Sequence, residues 1–364
     1  MQYRLEKRPR PSRLMLYLAP VLALIGTALI GAILFGLIGY DGIGAVREIF
    51  VTPLANPLKW QDLAIKSAPL IIIAIGLSIG YRANVWNIGA EGQYVIGGLA
   101  GTGIALLTRD MSGPWILPLM ILAGMAGGMA WAAIPALLRT KLRVNEILTS
   151  LMLTYVAIQL LYYLVIGPWR DPMGFGFPQT AIFRADQLLP RIVPGTIVHA
   201  GVAIALVVAV IAWFVMSRSL FGFQVRVVGS APHAARYGGF STNQTIWLAL
   251  LSGGALAGLA GILEATGPFA RMVPSFPTNY GFTAIIVAFL GRLHPVGIVF
   301  AGLAIAITIV GGEVAQTTIG LPYAAVGIFQ AMMLFLILAS DILVRYRLRR
   351  LVAEPRGEPA GESA

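Results

Sequence analysis

The sequence predicts an all-α fold: a polytopic transmembrane helical bundle of about ten spans. Three observations predict it. Only 11% of the 364 residues are charged and 58% are hydrophobic, with a mean hydropathy of +0.82, whereas a soluble domain carries about a quarter charged residues. Apolar runs long enough for a bilayer core, which needs about 20 helical residues, recur along the chain. Lys and Arg fall unevenly between these runs: 18 of the 26 lie on the side of the N-terminus and 8 on the other, as the positive-inside rule requires when both termini are cytoplasmic.

The elements follow in order. Residues 1–13 form a basic cytoplasmic tail, and 14–344 form the transmembrane permease-like domain. The first run, 14–40, is too long for a signal-peptide core and reads as a retained span. Further runs lie at 62–82, 89–108, 115–138, 147–167, 196–217, 245–267, 280–291, 295–313 and 321–344. Lipid offers backbone groups no partner, so each run is expected to be helical. An even number of spans keeps the basic residues 345–350 on the same side as the N-terminus. Residues 345–364 make a basic, then Pro/Gly-rich tail, expected to be disordered and cytoplasmic. The outer segments 41–61 and 168–195 mix Pro, Gly and aromatics and are expected to cap the outside. The net charge of +11 sits between spans, so it implies orientation in a lipid bilayer and no nucleic acid. The absence of cysteine excludes disulfides and thiolate metal sites.

"NIGAEGQYVIGGLAG" from Asn87 and "NYGFTAIIVAFLG" from Asn279 both open Asn-x-Gly, at joints on opposite sides of the membrane. That is the relation expected of inverted repeats covering spans 2–5 and 7–10. The stretches 122–138 and 251–265 carry Gly and Ala at three- and four-residue spacing, which lets helices pack closely. Pro69, Pro118, Pro135 and Pro322 lie in or near spans and are candidates for kinks.

Asn87, Glu91 and Gln93 are the most anomalous residues. A charge at mid-membrane costs about 2.5–3.5 kcal/mol on insertion scales, although Glu91 falls near the cytoplasmic end of the third run. Two readings stand together: a polar hinge or half-helix beside a translocation path, and a helix start with Asn87 as N-cap and Glu91 in the first turn. Asn145 and Glu146 open the fifth span. They read either as a cap beside a basic loop or as a cytoplasmic gate on the path. The cytoplasmic loop 217–245 holds a short predicted helix, "PHAARY", with Ser230 and Pro232 at its start and Gly238–Gly239 at its end. It is either an amphipathic turn on the lipid surface or a rigid lever.

Glu264, Glu313 and Gln316 fall near outer ends of spans, and Gln159, Gln330 and Asp341 are scattered. His199, His233 and His294 have no metal spacing and are read as structural. No carboxylate pair has catalytic spacing, so no enzyme, cofactor or metal site is expected. None of the four lysines closes a Gly-x-x-x-x-Gly-Lys-Ser/Thr phosphate loop; if transport is ATP-driven, the ATPase is another chain.

"ANVWNIGAEGQYVIGG", "RVNEILTSLMLTY" and the 217–245 loop together resemble permeases of the branched-chain amino acid/ribose-type ABC importer family. The Asn-Ile-Gly-x-Glu-Gly pattern at 87–92 is similar to the subgroup that takes up purine nucleosides with a lipoprotein receptor of the basic membrane protein type. The resemblance implies an importer working by alternating access in a bacterial cell membrane. Its expected partners are cytoplasmic ABC ATPase subunits, a second related permease chain and an external substrate-binding lipoprotein. It also implies that Gly229, Pro232, Ala234, Ala235, Arg236, Tyr237 and Gly238 belong to the loop that docks on the ATPase. His233 stands where the family carries an acidic residue. Other solutes of the family are sugars, branched-chain amino acids and flavins. The rival classes are an ion-coupled secondary transporter and a structural membrane anchor.

Overall fold

The computed structural model describes residues 2–7 and 13–351. The expected disorder of 352–364 and the basic residues Arg8 and Arg10 lie outside the described residues. In chain order the elements are β1 (Gln2–Lys7), α1 (Arg13–Leu37), α2 (Gly42–Phe50), α3 (Thr52–Ala55), α4 (Pro57–Arg82), α5 (Ala90–Leu107), α6 (Ile116–Leu142), α7 (Glu146–Ile166), α8 (Ala200–Arg218), α9 (Leu220–Ser230), α10 (Pro232–Tyr237), α11 (Thr242–Glu264), α12 (Tyr280–Leu290), α13 (Pro295–Ile319), α14 (Tyr323–Arg345) and β2 (Tyr346–Leu351). Each of the ten apolar runs coincides with a helix, and the fold is a helical membrane bundle. Among the described residues, six helices, α4, α6, α7, α8, α11 and α13, are long and apolar enough to cross a membrane by length and composition.

The chain divides into two compact units, residues 1–42 with 324–364, and residues 43–323. In the first unit α1 packs on α14. The rings of Phe35 and Phe329 stack at 5.8 Å, and Gly31 leaves room for the Phe329 ring. Where the sequence reads two basic tails, residues 2–7 and 346–351 instead pair as antiparallel strands, with Gln2 opposite Leu351 and Lys7 opposite Tyr346.

The second unit is built around α4. Asn56 caps α4, its side chain accepting from Leu58 N at 3.0 Å, and Pro57 occupies the first turn, where no N–H is needed. From Ala68 to Tyr81 every residue is buried. A helix apolar on all sides belongs in the interior, and α11, α12, α13 and α8 surround it. By contrast α6, α7 and α8 are mostly exposed, and present residues such as Leu122, Met152 and Phe214 outward, as lipid-facing helices do.

The small-residue stretches meet where the sequence expects close packing. Gly124 and Gly128 of α6 lie against Gly254 and Gly258 of α11, and Gly97 of α5 lies against Gly258, with no room for a Cβ at these contacts. Pro69 and Pro135 lie inside α4 and α6, while Pro118 lies in the first turn of α6 and Pro322 precedes α14.

α11 ends in a π-turn over Ala265–Phe269, which contains Pro268, and Ala270 follows at φ +52°. The chain then runs back along the first turns of α5, where Phe276 stacks on Tyr94 at 4.9 Å and Gly98 makes room for Phe276 and Met272. Asn279, at φ +62°, turns it into α12. With 11 residues, α12 is about 16 Å long, half a bilayer core. The segment 168–199 covers this re-entrant stretch. Phe183 N donates to Ala270 O at 2.8 Å, Leu189 N to Thr266 O at 3.1 Å, and Met272 N to Thr180 Oγ1 at 2.9 Å.

Candidate functional site

The chain between α4 and α5 forms a polar joint. Asn84 has φ +57° and breaks the helical run, so the interruption precedes α5; the glycines within α5 serve close packing in an unbroken helix. Asn87 and Gln93 are both buried and their amides pair reciprocally. Asn87 Nδ2 donates to Gln93 Oε1 at 2.9 Å, and Gln93 Nε2 donates to Asn87 Oδ1 at 3.2 Å. Asn87 Oδ1 also accepts from Gly89 N at 3.1 Å, so Asn87 closes the turn leading into the helix, whose N-cap position is Gly89. The mutual pairing satisfies two amides that would be costly to bury alone.

Glu91 lies in the first turn of α5 and is 0% exposed. Its carboxylate reaches across to the start of α12, where Oε1 accepts from Asn279 N at 2.9 Å and Oε2 from Gly281 N at 2.5 Å. Gly281 has no Cβ because the Glu91 backbone occupies that space. The two Asn-x-Gly stretches therefore meet at one carboxylate, through residues 188 and 190 positions apart. This carboxylate sits at the N-terminal ends of two helices, whose dipoles both favour negative charge. α12 runs from this contact to Phe289, eight residues or about 12 Å away, where Phe289 stacks with Tyr81 at 5.3 Å and Trp86 at 5.9 Å. Glu91 is fully buried, at the opposite end of α12 from this aromatic cluster.

Asn145 caps α7, its Oδ1 accepting from Ile147 N at 2.9 Å. Glu146 pairs with Arg139 of α6 and accepts from Trp86 N at 3.4 Å. Ser150 Oγ accepts from Ile88 N at 3.2 Å, and Gly89 and Gly92 leave no room between α5 and the α7 backbone at Ser150 and Thr154. The structure thus brings Asn87, Glu91, Gln93 and Glu146 around one interrupted segment, with Asn145 at the adjoining helix cap.

The 217–245 loop contains two helices. α10 spans the predicted "PHAARY", with Pro232 in its first turn and Gly238 at its C-cap. The start differs in detail: Ser230 ends α9, its hydroxyl donating to Arg226 O at 2.8 Å, and the N-cap is Ala231. In α10 only Ala235 is buried, and Tyr237 is 95% exposed. The sequence reading missed α9. Its Val225 and Val228 pack inward, Val225 joining Ile79, Val85, Met216 and Leu250 in one apolar cluster. Gly229 seats α9 directly against the backbone carbonyl of Arg82, the last residue of α4. The exposed helix is thereby connected to the end of the core helix, immediately before the polar joint.

A cavity of about 430 Å³ opens beside the other half of α4. It is lined by Lys66, the 188–199 segment, Glu264, the π-turn and Tyr280 among others. Lys66 Nζ donates to Glu313 at 2.6 Å. Asn87, Glu91 and Gln93 do not line it. Among the described residues no group of three or more His, Cys, Asp or Glu gathers to hold a metal.

The structure is a helical membrane bundle with a half-length helix, α12, a buried carboxylate, Glu91, at its start, and an exposed short helix, α10, joined through α9 to the end of α4. The chain belongs to the family of branched-chain amino acid transport system permease components, whose model matches residues 60–338. It is 36% identical to the glucose ABC transporter permease TsgB13 of Haloferax volcanii, over 100% of this chain and 98% of that protein. It is 30% identical to the guanosine ABC transporter permease NupP of Bacillus subtilis, over 93% and 97%. It is 27% identical to the nucleoside ABC transporter permease NupB of Lactococcus lactis, over 90% and 92%. A second guanosine permease of B. subtilis, NupQ, and a second nucleoside permease of L. lactis, NupC, are also similar, at 27% and 28%.

Proposed function

We propose that this chain is the membrane subunit of an ATP-driven importer that moves a purine nucleoside by alternating access. Solute enters from the side of the 168–199 segment, and both termini and α10 face the cytoplasm. The observation that carries this reading is α10: a six-residue helix started by Pro232 and ended at Gly238, exposed on all but one residue and joined directly to α9, whose Gly229 seats on the end of α4. A rigid element of this kind passes a displacement from a docked ATPase to the joint at Asn87, Glu91 and Gln93. The joint then opens or closes the path as one of two states. Asn145 and Glu146, which hold α7 to that joint, move with it.

The ATPase is a separate cytoplasmic subunit, and a binding lipoprotein delivers solute from outside. The likeness to two permeases in B. subtilis and two in L. lactis supports a second, related permease chain beside this one. The 36% identity to a glucose permease favours a second reading, in which the solute is a free sugar.

The test is uptake of labelled guanosine and of glucose by the reconstituted complex, with native chain and with Arg236→Ala or Tyr237→Ala. The expected result is guanosine uptake that falls in both variants while the subunits remain assembled and ATP is still hydrolysed. Glucose uptake in place of guanosine would select the second reading. Full uptake by both variants would remove α10 from the mechanism.

A further inference from the structure

Two buried polar groups that the joint does not use, Glu264 and His199, line the 430 Å³ cavity. Its volume falls within the range of small-molecule sites, about 300–1,000 Å³. Glu264, at the last turn of α11, is 5% exposed, and its carboxylate has neither a hydrogen-bond partner nor an ion-pair partner among the described residues. A buried carboxylate normally has at least one. His199, also 5% exposed, accepts from Gly201 N through Nδ1 at 3.2 Å. Burial holds its imidazole below the ordinary value, so the neutral ring carries its proton on Nε2. That Nε2 has no acceptor and lies over Gly267, another lining residue. Lys66 adds an ammonium, anchored by Glu313. The remaining charged groups at the cavity, Asp62 and Arg191, are accounted for differently: Asp62 pairs with Lys59, and Arg191 is exposed.

We propose that this cavity is a solute site of the permease itself, recognising the vicinal hydroxyls of a neutral sugar ring, with Glu264 as the acceptor for two adjacent O–H groups. The two oxygens of a carboxyl group can each accept from one of a pair of adjacent hydroxyls, which matches a diol. Lys66 and His199 Nε2 supply donors for the ring and hydroxyl oxygens. The chemistry is common to a ribonucleoside and a free hexose. This deepens the functional reading above and rests on it.

The experiment separates the site from the external receptor by a double ratio. Uptake of guanosine and of 2′,3′-dideoxyguanosine is measured in the complete reconstituted importer, with native chain and with Glu264→Gln and Glu264→Ala, and with glucose and 2,3-dideoxyglucose, which has no adjacent hydroxyl pair, as a second pair. The receptor contributes the same factor to each chain, so a change in the ratio belongs to the permease. The proposal expects hydroxylated-solute uptake to fall about 10-fold or more in Glu264→Ala, less in Glu264→Gln, with deoxy-solute uptake little changed. The pair that responds tells nucleoside from hexose. Equal falls for hydroxylated and deoxy solutes, in complexes that still assemble, would overturn the site and leave the importer reading standing. No uptake of any of these solutes by the native complex would overturn both.

Discussion

The contact between Glu91 and the start of α12 makes a sharp prediction about local stability. Replacing Glu91 by Ala removes the acceptor of both Asn279 N and Gly281 N. Replacing it by Gln keeps one acceptor oxygen and sets an NH₂ group against the other donor. Hydrogen bonds to charged groups contribute about 1.5–3 kcal/mol each. Glu91→Gln should therefore loosen the start of α12 by about 1.5–3 kcal/mol and Glu91→Ala by about 3–6 kcal/mol. Native-state hydrogen exchange reads such local opening directly. At 1.4 kcal/mol per tenfold, amides at the start of α12 should exchange roughly 10–150-fold faster in the Gln variant and roughly 150–20,000-fold faster in the Ala variant. The C-terminal half of α7, away from the joint, serves as an internal reference. Exchange at Asn279 and Gly281 unchanged in both variants, or equally accelerated in both, would refute the view that the carboxylate holds the starts of α5 and α12 together.

The other predictions concern packing, pairing and charge. For the buried amide pair, Asn87→Leu alone should cost about 1–3 kcal/mol because Gln93 is left unsatisfied, whereas Asn87→Leu with Gln93→Leu should cost less than the two single changes summed; a double-mutant cycle of unfolding in mixed micelles checks this. Gly258→Val should destabilise by about 1–3 kcal/mol or more, since the α6 backbone fills the space, while Gly327→Ala, with open space around it, should be neutral or stabilise by up to about 1 kcal/mol; thermal midpoints in detergent compare them. Burial lowers the His199 pKa in the folded chain, so the unfolded state binds the proton more readily. Its contribution is complete above about 6.5, the ordinary imidazole value, and declines as pH falls through the lower folded value; the acid-side loss of thermal stability should shrink in His199→Gln.

Much of the architecture was legible in the sequence because the bilayer leaves few options. Apolar runs of span length became helices, and Pro232 and Gly238 delimited α10 through backbone rules that act within a few residues. The small-residue faces of α6 and α11 announced close packing. The missing parts are those fixed by distant partners. α9 is amphipathic and was read as loop, because its apolar residues answer to a cluster on α4, α6, α8 and α11. The burial of Glu91 depends on α12 starting against the first turn of α5, after the π-turn at Pro268 and the left-handed Asn279. Asn279 was visible as the start of a repeated pattern, but its contact with Glu91 was not. Lys66, His199 and Glu264 share no local motif at all, and the sequence treated each as isolated.

The central claim is that this chain is a conduit driven from outside itself through α10. The most direct measurement is solute accumulation in sealed proteoliposomes containing this chain alone, compared with vesicles holding the chain, its partner permease and the ATPase, with receptor outside and ATP on the ATPase side. The account predicts accumulation only in the complete assembly and only with hydrolysable ATP. Accumulation by the chain alone, driven by an ion gradient and indifferent to ATP, would contradict it.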